Sequence, residues 1–272
     1  MKIVTYTREG KTYLGRLEDD RVYMTNWTED LMSLMQRGIK PERTSLHYPL
    51  EDVKLEASVR PGKMFGIGRN YAAHAAELAN DVPQKPLIFG KFINSVIGPN
   101  EAIRWNSSDT SQVDWEGELA VIIGRRARNV DEADAYKYVF GYTIANDISA
   151  RDLQNSEPQW ARAKSLDTFC PLGPCIVTRD DIPDPHTLTI VTTVNGEVVQ
   201  NSGTDLMIFK IPFLIAYLSR AFTLEAGDVI LTGTPSGVGA GMNPPRFLQN
   251  GDLVSVTIDG IGTLTNTCQV EA

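Results

Sequence analysis

The sequence reads as a strand-rich α+β protein whose main sheet is closed or rolled. Short apolar runs recur at residues 119–123, 188–194, 228–232 and 253–258, each close to the four to eight residues of a buried strand. Asn195-Gly196 lies between Val194 and Val198, and Asp259-Gly260 between Ile258 and Leu264. Both dipeptides accept positive φ and mark hairpins. Helical patterning is confined to about 71–79, 131–139 and 207–221, so strands do not alternate with helices as in a Rossmann or TIM pattern.

In chain order, residues 1–60 form a small N-terminal α+β domain. Ile3 to Tyr6 and Arg21 to Met24 are strand-like, and Thr28 is the expected N-cap of a short helix with Leu31, Leu34 and Met35 on one face and Gly38 as its stop. The stretch Ser58 to Lys63, with Pro61-Gly62, is the joint to a main domain over 61–272. Within the last helical window, Pro212 forces a late start or a kink.

Composition removes several function classes. A chain of 272 residues with 42% hydrophobic and 22% charged residues can bury one sizeable core. A net charge of -8 opposes nucleic-acid binding. Met1 to Tyr6 lacks the apolar run of a signal peptide, and no stretch approaches the ~20 apolar residues of a membrane span. Three cysteines without a C-x-x-C pair give neither a disulfide framework nor a Cys-rich zinc site. Cys170 and Cys175 read as small buried residues. A reducing cytoplasm is the simplest compartment.

The segment Val113 to Ile123 carries the most chemistry. On a strand Glu116 and Glu118, two apart, point to one face. Two adjacent carboxylates are costly unless a proton or cation lies between them, and a hard cation such as Mg2+ prefers such oxygen ligands. A solvent-facing pair on an edge strand explains the same spacing. Asn146-Asp147 ends the apolar run Tyr142 to Ala145. Asp147 either helps to cap the following helix or supplies a third ligand. Only three histidines are present, which disfavours a His-rich zinc site.

His74 and Glu77 lie three apart in a helical segment that follows Gly66-Ile67-Gly68. Shared on one face, they make either a general base oriented by a carboxylate or a plain surface pair. Other signatures fail. Gly66-x-Gly68 is followed by Tyr71 where a dinucleotide fingerprint needs Gly, Thr232 to Gly239 lacks Gly-Lys-Ser/Thr, and Ser236 is out of register for G-x-S-x-G.

Taken together, ordered motifs from about residue 64 onward resemble the fumarylacetoacetate hydrolase family. They are Gly68-Arg69-Asn70-Tyr71-x-x-His74-x-x-Glu77, Asp114-x-Glu116-x-Glu118-Leu119, Gly141-Tyr142-Thr143-x-x-Asn146-Asp147 through Arg151 to Gln154, Ala163-Lys164 to Pro174, Val194 to Glu197, and Gly227 to Gly239. The first 60 residues resemble the small N-terminal domain of bacterial members. The resemblance implies a β-roll, a homodimer, and Mg2+ or Mn2+ held by Glu116, Glu118 and Asp147. It makes His74 and Glu77 a water-activating dyad on a lid segment, and places Lys164 beside the metal. Arg151 and Gln154 would line the reacting end. Arg69, Tyr71 and Thr234 would contact substrate, Thr234 at its carboxylate.

The expected reaction is metal-dependent hydrolysis of a C–C bond in an acylpyruvate-type 2,4-dioxo acid, through a pyruvate enolate held at the metal. Oxaloacetate decarboxylation or tautomerisation, and isomerisation or hydration of a 2-oxo-enoic diacid, use the same enolate and stay open. A non-catalytic metal-binding ligand sensor is the reading from another class. Without the resemblance, Lys164 also reads as a surface lysine, Arg151 as a surface charge paired with Asp152, and Thr234-Pro235 as a turn.

Overall fold

The computed structural model of the protein describes residues 1–271. Its larger sheet has twelve strands. Ten of them run in the order Arg43–Pro49, Arg21–Thr25, Lys11–Glu18, Lys2–Arg8, Cys170–Thr178, Val139–Asn146, Gly117–Ile123, Val229–Leu231, Met64–Gly68 and Leu87–Lys91. A second sheet runs Glu197–Gly203, Thr189–Val194, Leu253–Ile258, Gly262–Glu271 and Ile103–Asn106. The two sheets share a core, in which Leu119 and Ile144 cluster with Ile190, Val256, Ile258 and Leu264. The class is the strand-rich α+β expected from the sequence.

Strand Lys2–Arg8 pairs antiparallel with Cys170–Thr178, Ile3 opposite Ile176, so the leading residues extend the main sheet. The first helix, Leu31–Arg37, is capped by Asp30 rather than Thr28: the Asp30 carboxylate accepts the Ser33 N–H at 2.8 Å. Asp caps at least as well as Thr, and Asp30 directly precedes the apolar face of Leu31, Leu34 and Met35. Gly38, at φ 63°, ends the helix as expected. The helix expected at 131–139 is a 3-10 stretch, Glu132–Tyr138, and Val139 already belongs to the next strand. Pro212 produces the late start: the long helix is Ile211–Ala221, with the proline in its first turn, where its missing N–H costs nothing.

The strand that positions the site is Gly117–Ile123, buried along its whole length. It lies between Val139–Asn146 and Val229–Leu231, and burial on both faces is why it reads as an unbroken apolar run. Its register sets Gly117 opposite Asn146 and Glu118 opposite Ala145. The Asp147 N–H then donates to the Glu116 carbonyl at 2.8 Å, which brings the acidic end of one strand beside the acidic start of the other. Gly117 is required where the second sheet approaches, since a Cβ there would lie 2.3 Å from Thr192 Oγ1.

Candidate active site

Glu116, Glu118 and Asp147 converge, each offering one carboxylate oxygen, and these oxygens lie within 4.8 Å of one another. Glu116 is 5% exposed and Glu118 2%, which disposes of the solvent-facing alternative. Asp147 is fully buried beyond the strand end and its side chain faces the two glutamates, so its carboxylate is not spent on a helix cap.

Buried carboxylates need partners. The Lys164 ammonium lies 2.7 Å from both Glu116 Oε2 and Asp147 Oδ2. The Arg151 guanidinium donates through Nε to Asp114 Oδ2 at 2.8 Å and lies 2.7 Å from Glu116 Oε1 through Nη1. Lys91 stands 2.7 Å from Asp147 Oδ1 and donates to the Lys164 carbonyl. Its contact with Asp147 is close enough for an ion pair but lacks the alignment of a hydrogen bond, so Oδ1 keeps accepting capacity. Four carboxylates, counting Asp114, thus face three cations in one buried cluster.

That imbalance appears in the protonation equilibria. Burial alone would raise Glu116, but the Lys164 ammonium and Arg151 guanidinium outweigh it and hold Glu116 well below the usual carboxylate range. Glu118 goes the other way. Burial, then the neighbouring Asp147 and Glu116 carboxylates, push it well above that range, and Lys164 and the Gly233 N–H at 2.6 Å offset only part. One carboxylate therefore lacks a positive neighbour of its own. Three hard oxygen donors carrying excess negative charge fit a divalent cation such as Mg2+ or Mn2+.

The second half of the site is a hydrogen-bonded pair. His74 Nδ1 and Glu77 Oε1 are 2.7 Å apart, and Glu77 Oε2 accepts the Gly237 N–H at 2.8 Å. His74 is 5% exposed, so this is not a surface pair. With Nδ1 committed to Glu77, Nε2 is the ring atom left for chemistry. His74 joins Glu116, Arg151, Gln154, Lys164 and Thr234 in lining one cavity of about 400 Å3.

The profile described as fumarylacetoacetate hydrolase, C-terminal, matches residues 63–269. The chain belongs to the fumarylacetoacetate hydrolase family. Among its relatives, an oxaloacetate tautomerase of Bacillus subtilis is 49% identical over 229 residues, 83% of this chain and 76% of that one. A solved structure named fumarylacetoacetate hydrolase, from Exiguobacterium antarcticum, is 40% identical with a TM-score of 0.92, covering 100% of both chains. One named 5-carboxymethyl-2-hydroxymuconate delta-isomerase, from Mycobacterium smegmatis, is 39% identical with a TM-score of 0.85, again over 100% of both. The motif resemblance in the sequence is therefore a family relationship, and the family is one of enzymes.

Within this family member, most of the expected residues meet at the cavity. Lys164 is 1% exposed and Arg151 3%, so neither is a surface charge. Arg151 pairs with Asp114, while Asp152 instead accepts from Thr110 and Ser111. Gln154 Oε1 accepts from Arg151 Nη1 at 2.9 Å, which leaves its amide NH2 as a donor. Arg151 Nη2 is buried without a partner among the described residues. Thr234 lines the cavity, with its hydroxyl donating to Gly117 O and accepting from Gln200 Nε2. Tyr71 departs from expectation. It is 2% exposed, does not line the cavity, and its hydroxyl has no partner among the described residues. It begins the helix Ala72–Glu77, and its ring packs into the core as a bulky apolar group.

Two site residues escape the sequence reading. Lys91 closes strand Leu87–Lys91 and pairs in register with Met64, an assignment no local spacing announces. A lysine ending the apolar run Leu87-Ile88-Phe89 is the one available signal. Asp114 stands inside a family motif that gives it no role of its own. Its carboxylate anchors Arg151 and accepts the N–H groups of Trp115, Gly239 and Ala240. Among the described residues, no helix is long and apolar enough to cross a membrane.

Proposed function

We propose that this protein is a divalent-metal-dependent keto–enol tautomerase of a short 2-oxo diacid of the oxaloacetate class. The observation that carries this reading is a single oriented base, His74, lining the same cavity as Glu116 of the carboxylate triad. The similarity to an oxaloacetate tautomerase at 49% identity supports it.

Mg2+ or Mn2+ held by Glu116, Glu118 and Asp147 would supply Lewis acidity to the 2-oxo group. The protein's own groups move the proton. Glu77, fixed by Gly237, keeps the His74 ring oriented so that Nε2 takes the proton from C3. The C–H electron pair becomes the C2–C3 double bond, and the carbonyl electrons pass to oxygen. The Gln154 amide and Arg151 Nη2 are donors for that oxygen. Transfer of the proton held at His74 Nε2 to the oxygen completes the enol, and the reverse sequence restores the ketone. Neither water nor a leaving group is consumed.

Hydrolysis of an acylpyruvate is the second reading, because the same dyad can deprotonate a water. A proton shuttle that isomerises a 2-oxo-enoic diacid also uses it, and a structural relative is named for an isomerase. The base argues against a non-catalytic sensor. The deciding experiment incubates chelator-treated protein, with and without added Mg2+, with enol oxaloacetate and separately with a short acylpyruvate. Metal-dependent ketonisation without pyruvate release supports tautomerisation. Pyruvate and free acid from the acylpyruvate, with ketonisation no faster than Mg2+ alone, replaces it with hydrolysis.

A further inference from the structure

Three cationic residues besides His74 line the cavity. Two of them, Lys164 and Arg151, have their charges paired with Glu116, Asp147 and Asp114. The third, Arg69, pairs with no carboxylate among the described residues. Its guanidinium instead stands 5.7 Å from the centroid of the Trp160 ring. Trp160 packs edge-on to Phe89 at 5.6 Å, and the Lys164 ammonium lies 5.2 Å from the Phe89 ring. Two aromatic rings thus separate Arg69 from the metal-side charges along one wall.

The chain holds Arg69 there deliberately. Its φ is 55°, in the left-handed region that residues with side chains rarely adopt. The next residue locks that turn. Asn70 donates to Phe209 O and Thr232 O, and accepts the Phe209 N–H, all from its side chain. On the other flank Trp160 lies against Gly68, where a Cβ would come within 2.7 Å of its ring. Ile67, Leu78, Phe89 and Trp160 give the cavity an apolar wall, which a methylene can cover without leaving a polar group unpaired.

We propose that Arg69, backed by Trp160, binds the distal carboxylate of the substrate and makes the cavity select 2-oxo diacids over 2-oxo acids that end in an alkyl group. This rests on the tautomerase reading above. A monoacid leaves the Arg69 charge in the cavity without an anion, whereas a second carboxylate forms a charge-assisted hydrogen bond with it.

The test measures metal-dependent C3 deuterium exchange by the Mg2+-loaded full-length protein, with oxaloacetate and with 2-oxobutyrate, after subtraction of the Mg2+-only rate. In Arg69→Met the ratio of kcat/KM for the diacid over the monoacid falls about 10- to 100-fold, the worth of a charge-assisted hydrogen bond. Arg69→Lys recovers part of the ratio, because it keeps the charge but not the planar fork. Thermal unfolding of each variant checks the fold, and Arg69→Gln serves if the Met variant is unstable. An unchanged ratio, whether both rates fall together or neither does, overturns the role of Arg69. No exchange of oxaloacetate by the parent protein above the Mg2+-only rate overturns the tautomerase reading, and this inference with it.

Discussion

The two sides of the cavity are built on different principles. On one side Glu116, Glu118 and Asp147 sit at strand ends among Lys91, Lys164, Arg151 and Asp114, and every charge but that of Glu118 is paired with an opposite one. On the other side the helix Ala72–Glu77 spans six residues and presents His74, secured through one carboxylate to one backbone N–H. The charged side is a network in which removing Lys91, Lys164, Arg151 or a carboxylate paired with them leaves a buried partner uncompensated. The base side is a two-link chain whose loss frees nothing buried. Changes on the first side should therefore disturb metal binding and stability together, and changes on the second should disturb turnover alone.

The largest effect belongs to the triad. Glu118→Gln removes a ligand and should lower kcat/KM for ketonisation by about 10⁴-fold or more, since metal Lewis acidity is worth several kcal/mol. Calorimetric titration should show weakened Mg2+ binding in parallel, and unaltered Mg2+ affinity would mean that the ion is held elsewhere. Next, His74→Ala should lower kcat by roughly 10²- to 10⁴-fold, the usual contribution of a general base, while Mg2+ still binds. Loss of metal affinity in that variant would erase the contrast between the two sides.

Lys91→Met touches no substrate but takes one cation from Asp147. With Lys164 still in place, the loss should be about 3 kcal/mol, at the lower end for a broken buried pair, measured by denaturant unfolding. An unfolding midpoint equal to the parent's would show that Lys91 is not part of the network.

The smallest effect concerns His186, remote from the cavity. Its Nε2 accepts the Ile211 N–H at 3.2 Å at the start of the long helix. Burial, then Lys210, lower its pKa from the ordinary 6.5, against an opposing pull from Asp184. The unfolded chain thus takes up a proton before the native one does. Its contribution to stability is complete above about pH 6.5 and is lost as pH falls through the depressed native value. The parent should lose thermal stability between pH 7 and 5 more steeply than His186→Gln, and parallel curves would remove His186 as the source.

Legibility in the sequence followed locality. Glu116, Glu118 and Asp147 were readable because period-two spacing and a strand end are local patterns, and antiparallel register only had to bring them together. His74 and Glu77 were readable for the same reason on a helix. Lys91 was not, because its role arises where Leu87–Lys91 meets the chain around Asp147 and Lys164, far away in sequence. The cap is expected at Thr28 and is found two residues later at Asp30, which only the bond to Ser33 reveals. Tyr71 shows the opposite limit: a residue inside a family motif can serve the core. The direction of the reaction was beyond the motifs, since hydrolysis and tautomerisation call on the same dyad.

The most direct measurement follows deuterium entering C3 of oxaloacetate in D2O, with Mg2+-loaded parent protein and Mg2+-loaded His74→Ala side by side. A base at His74 Nε2 serving the carboxylate site predicts rapid exchange in the parent, none above the Mg2+-only rate after chelation, and a drop of about 10² or more in the variant. Exchange that persists in His74→Ala at the parent's rate would contradict it.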